Sequence, residues 1–255
     1  MALVLFEKDD HILRVSLNRK SVLNAINSEV IRELESVIKA HAGNENIKAL
    51  MLFGQGGCFA AGADIKELAS LDEKGIREFH SLRERTFSLL ETFPCPTLAV
   101  IEKYALGTGL ELALCCDFRI ASETAQLGVP SSRLGIVESY EYITRVVRAV
   151  GPFQAKKLIV SGERIDAKTA FTIGLIEETT PPDALFDRAD SLIENIANNS
   201  NSAMRLSKKA VDMCMKDPNL FHINDTAGLM VESLKTEDFK EGTKAFLEKR
   251  KAKFK

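Results

Sequence analysis

The chain reads as an α/β protein with covered sheets, and three observations carry that reading. Short runs rich in Val, Ile, Leu and Phe alternate with longer segments whose apolar residues recur at helical spacing. With 45% hydrophobic residues over 255, the chain can bury one sizeable core. After about Asp183 the strand signal stops, and everything to Lys255 reads as helix.

Residues 2–6 and 11–17 read as two strands around a turn, and 47–53, 97–101 and 118–121 supply further strands. Between them, residues 28–41 place Val30, Ile31, Leu34, Val37 and Ile38 at helical spacing, opened by Asn27 or Ser28 as a cap and closed by Gly43. Residues 74–91 repeat the pattern through Ile76, Phe79, Leu82, Phe87 and Leu90. The C-terminal helices break at 198–201, at Asp217-Pro218 and at 235–238. Such an appendage cannot build a large core alone, so it is expected to pack on the main body or on another subunit.

Composition excludes several function classes. A net charge of -2 gives no reason to expect a nucleic-acid or membrane-surface partner. The five cysteines, Cys58, Cys95, Cys115, Cys116 and Cys214, are odd in number and lack C-x-x-C spacing, which argues against a disulfide framework or a zinc site. His11, His41, His80 and His222 are scattered without ligand spacing, so no metal is expected. The N-terminus has no signal or organellar presequence pattern, and no apolar run approaches the roughly 20 residues that cross a bilayer. A soluble, cytoplasmic protein is expected.

Two small-residue loops and one acid carry the chemistry. The first loop, FGQGGCFAAGADIKEL at 53–68, follows a strand, but Phe59 stands where a dinucleotide fingerprint needs glycine. Gly62, between Ala61 and Ala63, permits close approach of a ligand to bare backbone. The second loop, ALGTGLE at 105–111, follows a strand and opens a helix whose first amides are unpaired. One amide from each loop could form an oxyanion hole for a carbonyl oxygen that gains charge. Glu111 lies about one turn beyond Thr108 within a run of Leu, Ala and Cys, where an unpaired carboxylate is costly to bury. It either faces water on an amphipathic helix or serves that carbonyl compound.

The chain resembles the crotonases, the enoyl-CoA hydratase/isomerase superfamily, over nearly its whole length. The resemblance rests on LNRKSVLNAIN at 17–27, CFAAGADIKEL at 58–68, ALGTGLELALCCDFRIAS at 105–122, AQLGVP at 125–130 and FKEGTKAFLEKRKAKF at 239–254. It implies a crotonase-type spiral of ββα units over residues 1–195. It further implies a helical trimerisation region over 196–255, assembled as a homotrimer or a dimer of trimers.

By the same resemblance, the amides of Ala63 and Thr108 hold the thioester carbonyl of an acyl-CoA, although the family usually has glycine where Thr108 stands. Glu111 matches one of two hydratase glutamates; the other falls at Ser131, which cannot replace a carboxyl proton donor. The following segment, LGIVESYEYITRVVRAVG at 134–151, departs from the family's glycine-rich turn. There Tyr140 and Tyr142 are expected to narrow the acyl pocket. Dienoyl-CoA isomerases use an extra aspartate matching Ser139, one residue from Glu138. Glu138 could therefore supply the missing acid, or be a surface glutamate at a helix start; Glu141 is a weaker candidate. Coenzyme A enters as part of the substrate, with no tightly bound cofactor. The resemblance places Ala61, Ala63 and Ile65 at its adenine, Lys66 beside them, and Lys20, Ser21 and Val22 along its pantetheine. It places Phe246 and Lys249 against the nucleotide from a neighbouring subunit.

Three activities remain open on sequence. Retained Glu111 favours water addition to a 2-enoyl-CoA. Ser131 favours isomerisation or another oxyanion-dependent reaction such as decarboxylation or thioester hydrolysis. A non-catalytic acyl-CoA-binding subunit would keep the fold and lose the chemistry.

Overall fold

The computed structural model describes residues 2–216 and 223–254. In chain order, the core comprises β1 (Val4–Asp9), β2 (Ile12–Leu17), α1 (Ser28–Ala42), β3 (Ala49–Gly54), α2 (Ile65–Ser70), α3 (Glu73–Glu91) and β4 (Thr97–Ile101). It continues through β5 (Tyr104–Leu106), α4 (Thr108–Leu114), β6 (Phe118–Ser122), β7 (Gln126–Gly128), α5 (Tyr140–Ser161), β8 (Arg164–Asp166), α6 (Ala167–Thr172), β9 (Glu178–Thr180) and α7 (Leu185–Ala197). Helices α8 (Asn201–Lys216), α9 (Ile223–Ser233) and α10 (Glu237–Leu247) follow. The anticipated break at Asp217-Pro218 lies outside the described residues, as does His222.

A six-stranded sheet runs in the order β1-β2-β3-β4-β6-β9, antiparallel only at the β1–β2 hairpin. A smaller sheet, β5-β7-β8, stands beside it. Alternation along each central strand sends side chains to both faces. Leu50 and Leu52 of β3 and Ala99 and Ile101 of β4 join the main core with α1 and α3. Ala49, Met51, Leu98 and Val100 point the other way, under Leu185, Ala189 and Ile193 of α7. Both faces are covered, which is why these strands read as continuous apolar runs. Asn27 caps α1, its side chain accepting from Val30 N–H.

The C-terminal helices dock at the starting ends of the parallel strands. Arg205 Nη2 donates to Ile47 O at 2.9 Å, Lys208 Nζ to Asp117 Oδ2 at 2.6 Å, and Lys48 Nζ to Phe254 O at 3.3 Å. The finishing ends are left to the two small-residue loops. There Leu106 N–H donates to Ala60 O at 3.2 Å, and Ala60 bridges Ala105 in parallel register. Helix α4 lies so close to this bridge that a Cβ on Gly109 would stand 2.4 Å from Ala60 O. Glycine is required there by space.

Gly109→Ala is expected to cost about 1–3 kcal/mol in urea unfolding, since backbone must move to admit the methyl. Gly228→Ala in α9, where nothing lies within 4 Å of the new Cβ, is expected to be neutral or to stabilise by up to about 1 kcal/mol.

Candidate active site

The loop after β3 and the loop after β5 meet through their backbones. Ile26 N–H donates to Gly62 O at 2.8 Å and Asp64 N–H donates to Ile26 O at 2.8 Å. This parallel bridge passes over Ala63, whose N–H has no acceptor among the described residues. Gly62 takes φ +121°, and a Cβ there would lie 3.2 Å from Leu106 O. Gly107, with φ 49°, turns the chain into α4, and Thr108 begins that helix with an amide that has no intrahelical acceptor. Buried Tyr142 secures this turn by donating its hydroxyl to Gly107 O at 2.7 Å.

Both amides line one largely apolar cavity of about 630 Å³. Its walls include Ile65, Leu68, Ile76 and Phe79, and its polar groups include Arg83, Ser131 and Glu138. Ser131, buried at the start of the 3-10 turn Pro130–Leu134, donates its hydroxyl to Glu138 Oε1. Glu138 is therefore half-buried against Ser131 rather than free at a helix start. Among the described lining residues it is the one carboxylate.

Glu111 is 0% exposed on α4, does not face water, and stands behind the cavity wall at Arg83 rather than among the lining residues. Its Oε1 accepts from Arg145 Nη1 of α5 at 3.1 Å, and its Oε2 lies 3.3 Å from Arg83 Nε of α3. The second contact is an ion pair without hydrogen-bond alignment, so Oε2 and Arg83 Nε both remain buried without a hydrogen bond. Arg145 is shared, reaching Glu84 at 2.6 Å and Glu91 at 3.0 Å as well. Burial pushes the Glu111 carboxyl up to about 7, while the charges of Arg83 and Arg145 pull it down. Burial is the largest influence on Glu84 and opposes its ionisation, but the hydrogen bond and charge of Arg145, with Ser88 and Arg83, together hold its carboxyl below the usual carboxylate range.

The remaining expected residues divide into two groups. Lys20, Ser21 and Val22 form an exposed 3-10 turn whose continuation touches the first loop, Ala61 N–H donating to Leu23 O at 3.0 Å. Arg19 ties it further, with Nη1 3.0 Å from Asp64 Oδ2. These residues and Ala61, Ala63, Ile65 and Lys66 are thus brought together. Phe246, 82% exposed, and Lys249 belong to the segment that ends beside Lys48, and neither lines the cavity of its own chain. Two expectations need correction. Tyr140 is exposed and Tyr142 is spent on Gly107, so neither narrows the cavity. Glu141 faces His80 Nε2 at 3.6 Å and is not among the lining residues.

Sequence reasoning missed Arg83 and Arg145. Each was legible as a cation on an apolar helix face: Arg83 among Phe79, Leu82 and Phe87, and Arg145 beside Tyr142 and Val146. Among the described residues no cluster suited to a metal ion occurs.

The spiral core, the small second sheet and the paired loops together have the crotonase fold. The chain superposes on an enoyl-CoA hydratase from Bacillus anthracis with a TM-score of 0.92 at 33% identity, covering 99% of both chains. The enoyl-CoA hydratase/isomerase family model matches residues 7–255, and the chain belongs to that enzyme family. It is 36% identical over 255 residues to crotonyl-CoA hydratase of Syntrophomonas wolfei, covering 98% of this chain and 97% of that protein. It is 36% identical over 252 residues to short-chain-enoyl-CoA hydratase of Clostridium acetobutylicum, covering 97% and 95%.

Arg145→Met removes the shared partner of three buried or half-buried acids and is expected to cost about 3–5 kcal/mol in urea unfolding. Arg148→Ala, whose partially exposed side chain meets the outer oxygen of Glu91 at 3.3 Å, is expected to change stability by less than about 0.5 kcal/mol.

Proposed function

We propose that the protein is an enoyl-CoA hydratase, adding water across the double bond of a 2-enoyl-CoA. The observation that carries this reading is the pair of unengaged amides, Ala63 and Thr108, on touching loops of one cavity. In this reading they donate to the thioester oxygen, whose charge grows as the enolate forms. Names of the hydratase relatives support the same substrate class.

Glu111 is the general base. Its Oε2 lacks a hydrogen bond, so it can accept from a water molecule, and a carboxyl that titrates near 7 exchanges protons readily at neutral pH. Arg145 and Arg83 fix the carboxyl while the water oxygen attacks the β-carbon. The π electrons move to the thioester oxygen under the two amides, then return as the α-carbon is protonated. Glu138 supplies that proton. The presence of Ser131 in place of a second matching glutamate keeps enoyl-CoA isomerisation as the second reading, with Glu111 shuttling a proton within the substrate.

Coenzyme A in this reading runs from Lys20, Ser21 and Val22 to Ala61, Ile65 and Lys66, with Phe246 and Lys249 donated by a neighbouring subunit. Exposed Val211, Met230, Phe246 and Leu247 on the C-terminal helices fit burial in a homotrimer or dimer of trimers. No described helix is long and apolar enough to cross a membrane. Five free cysteines fit a reducing, cytoplasmic compartment.

Crotonyl-CoA absorbance should fall in the presence of wild type and hardly at all with Glu111→Gln, whose kcat is expected to drop about 100- to 10,000-fold. An unchanged Glu111→Gln rate would refute the base assignment. Because the base must be ionised, the ascending limb of kcat/KM against pH should have its midpoint near 7, where Glu111 loses its proton. A flat profile between pH 5 and 9 would contradict it.

A further inference from the structure

We infer that Ser131 is a catalytic residue, its hydroxyl passing the proton between Glu138 and the substrate α-carbon. The inference rests on the hydratase reading and extends it. Glu111 is enclosed by Arg83 and Arg145, whereas Ser131 and Glu138 both line the cavity that receives the Ala63 and Thr108 amides. Ser131 Oγ donates to Glu138 Oε1, so the hydroxyl proton is already directed at the carboxylate. Ser131 is itself 6% exposed, held in its 3-10 turn where Ile136 N–H donates to Ser131 O at 3.0 Å. A buried, hydrogen-bonded hydroxyl keeps one orientation, as a relay requires.

The step balances in both directions. In dehydration the Ser131 oxygen accepts the α-proton while its own proton moves to the Glu138 carboxylate. The electron pair of the broken C–H bond enters the enolate held by the amides. The β-hydroxyl then leaves with a proton from Glu111, as water. In hydration, protonated Glu138 gives its proton to Ser131 as Ser131 protonates the α-carbon. Serine is too weak an acid to do this alone, and Glu138 removes that difficulty by supplying the exchangeable proton.

The test compares Ser131→Ala, Ser131→Thr, Glu138→Gln and the Ala/Gln double variant with wild type, using crotonyl-CoA and thermal unfolding as a check on folding. The relay predicts that Ser131→Ala loses about 100-fold or more in kcat with KM within about threefold. Threonine, which keeps the hydroxyl, should recover at least about a tenth of the wild-type rate. The double variant should be no slower than the slower single, because one pathway is cut twice. Deuterium exchange at the α-carbon of 3-hydroxybutyryl-CoA should fall in step with kcat. A Ser131→Ala rate within twofold of wild type overturns the relay and leaves the hydratase reading standing. An acyl-enzyme mass on Ser131 also overturns it, by making Ser131 a nucleophile. A wild type that binds but does not hydrate crotonyl-CoA overturns both.

Discussion

The placement of Glu111 between Arg83 and Arg145 is the constraint on which the centre of this protein depends. A carboxylate with zero exposure is unfavourable unless cations meet it, and here α3 and α5 each bring one to α4. The clamp thereby ties together three helices that also share the main apolar core, through Leu82 and Phe87 of α3, Leu110 and Leu112 of α4 and Val146 of α5. Arg145 carries further weight because Glu84 and Glu91 share it, and Arg148 meets Glu91 from outside as a third cation. Misalignment of the Arg83 contact leaves one Glu111 oxygen without a hydrogen bond, the atom that the hydratase reading assigns to water.

The backbone meets the same centre from the other side. Gly62 and Gly109 let two loops and a helix approach to distances that side chains would crowd, and Gly107 supplies the positive φ that turns the chain into α4. Tyr142 then pins the Gly107 turn, so the Thr108 amide is positioned by α5, the helix that also supplies Arg145. Loop geometry and carboxyl geometry are therefore set by one element. Docking of the C-terminal helices at the far ends of the strands keeps that arrangement open to a ligand.

Much of this was legible in the residues. The five long strand runs and the helices over Asn27-capped α1 and over α3 follow from periodicity; each appears within two residues of its expected bounds except β1, which ends three residues later than expected. Strands β5, β7, β8 and β9 were not legible, because three-residue segments such as Gln126–Gly128 carry no measurable alternation. Both loops and Glu111 stood out because small residues and a lone acid in an apolar run violate the usual pattern. Tyr142 was misread as a wall of the cavity: its bulk is visible in sequence, but the direction of its hydroxyl depends on how α5 packs on α4. The Ser131–Glu138 contact was half legible, as a missing acid beside a new one. The contact itself depends on the 3-10 turn that precedes α5.

Hydration requires water to reach the β-carbon while a proton reaches the α-carbon. The most direct measurement is the mass of the product formed from crotonyl-CoA in water enriched in both oxygen-18 and deuterium. Hydration predicts an intact thioester carrying one oxygen-18 and one non-exchangeable deuterium. Deuterium without oxygen-18 would make the protein an isomerase, and oxygen-18 in a released acid would make it a thioesterase; either result would contradict the account.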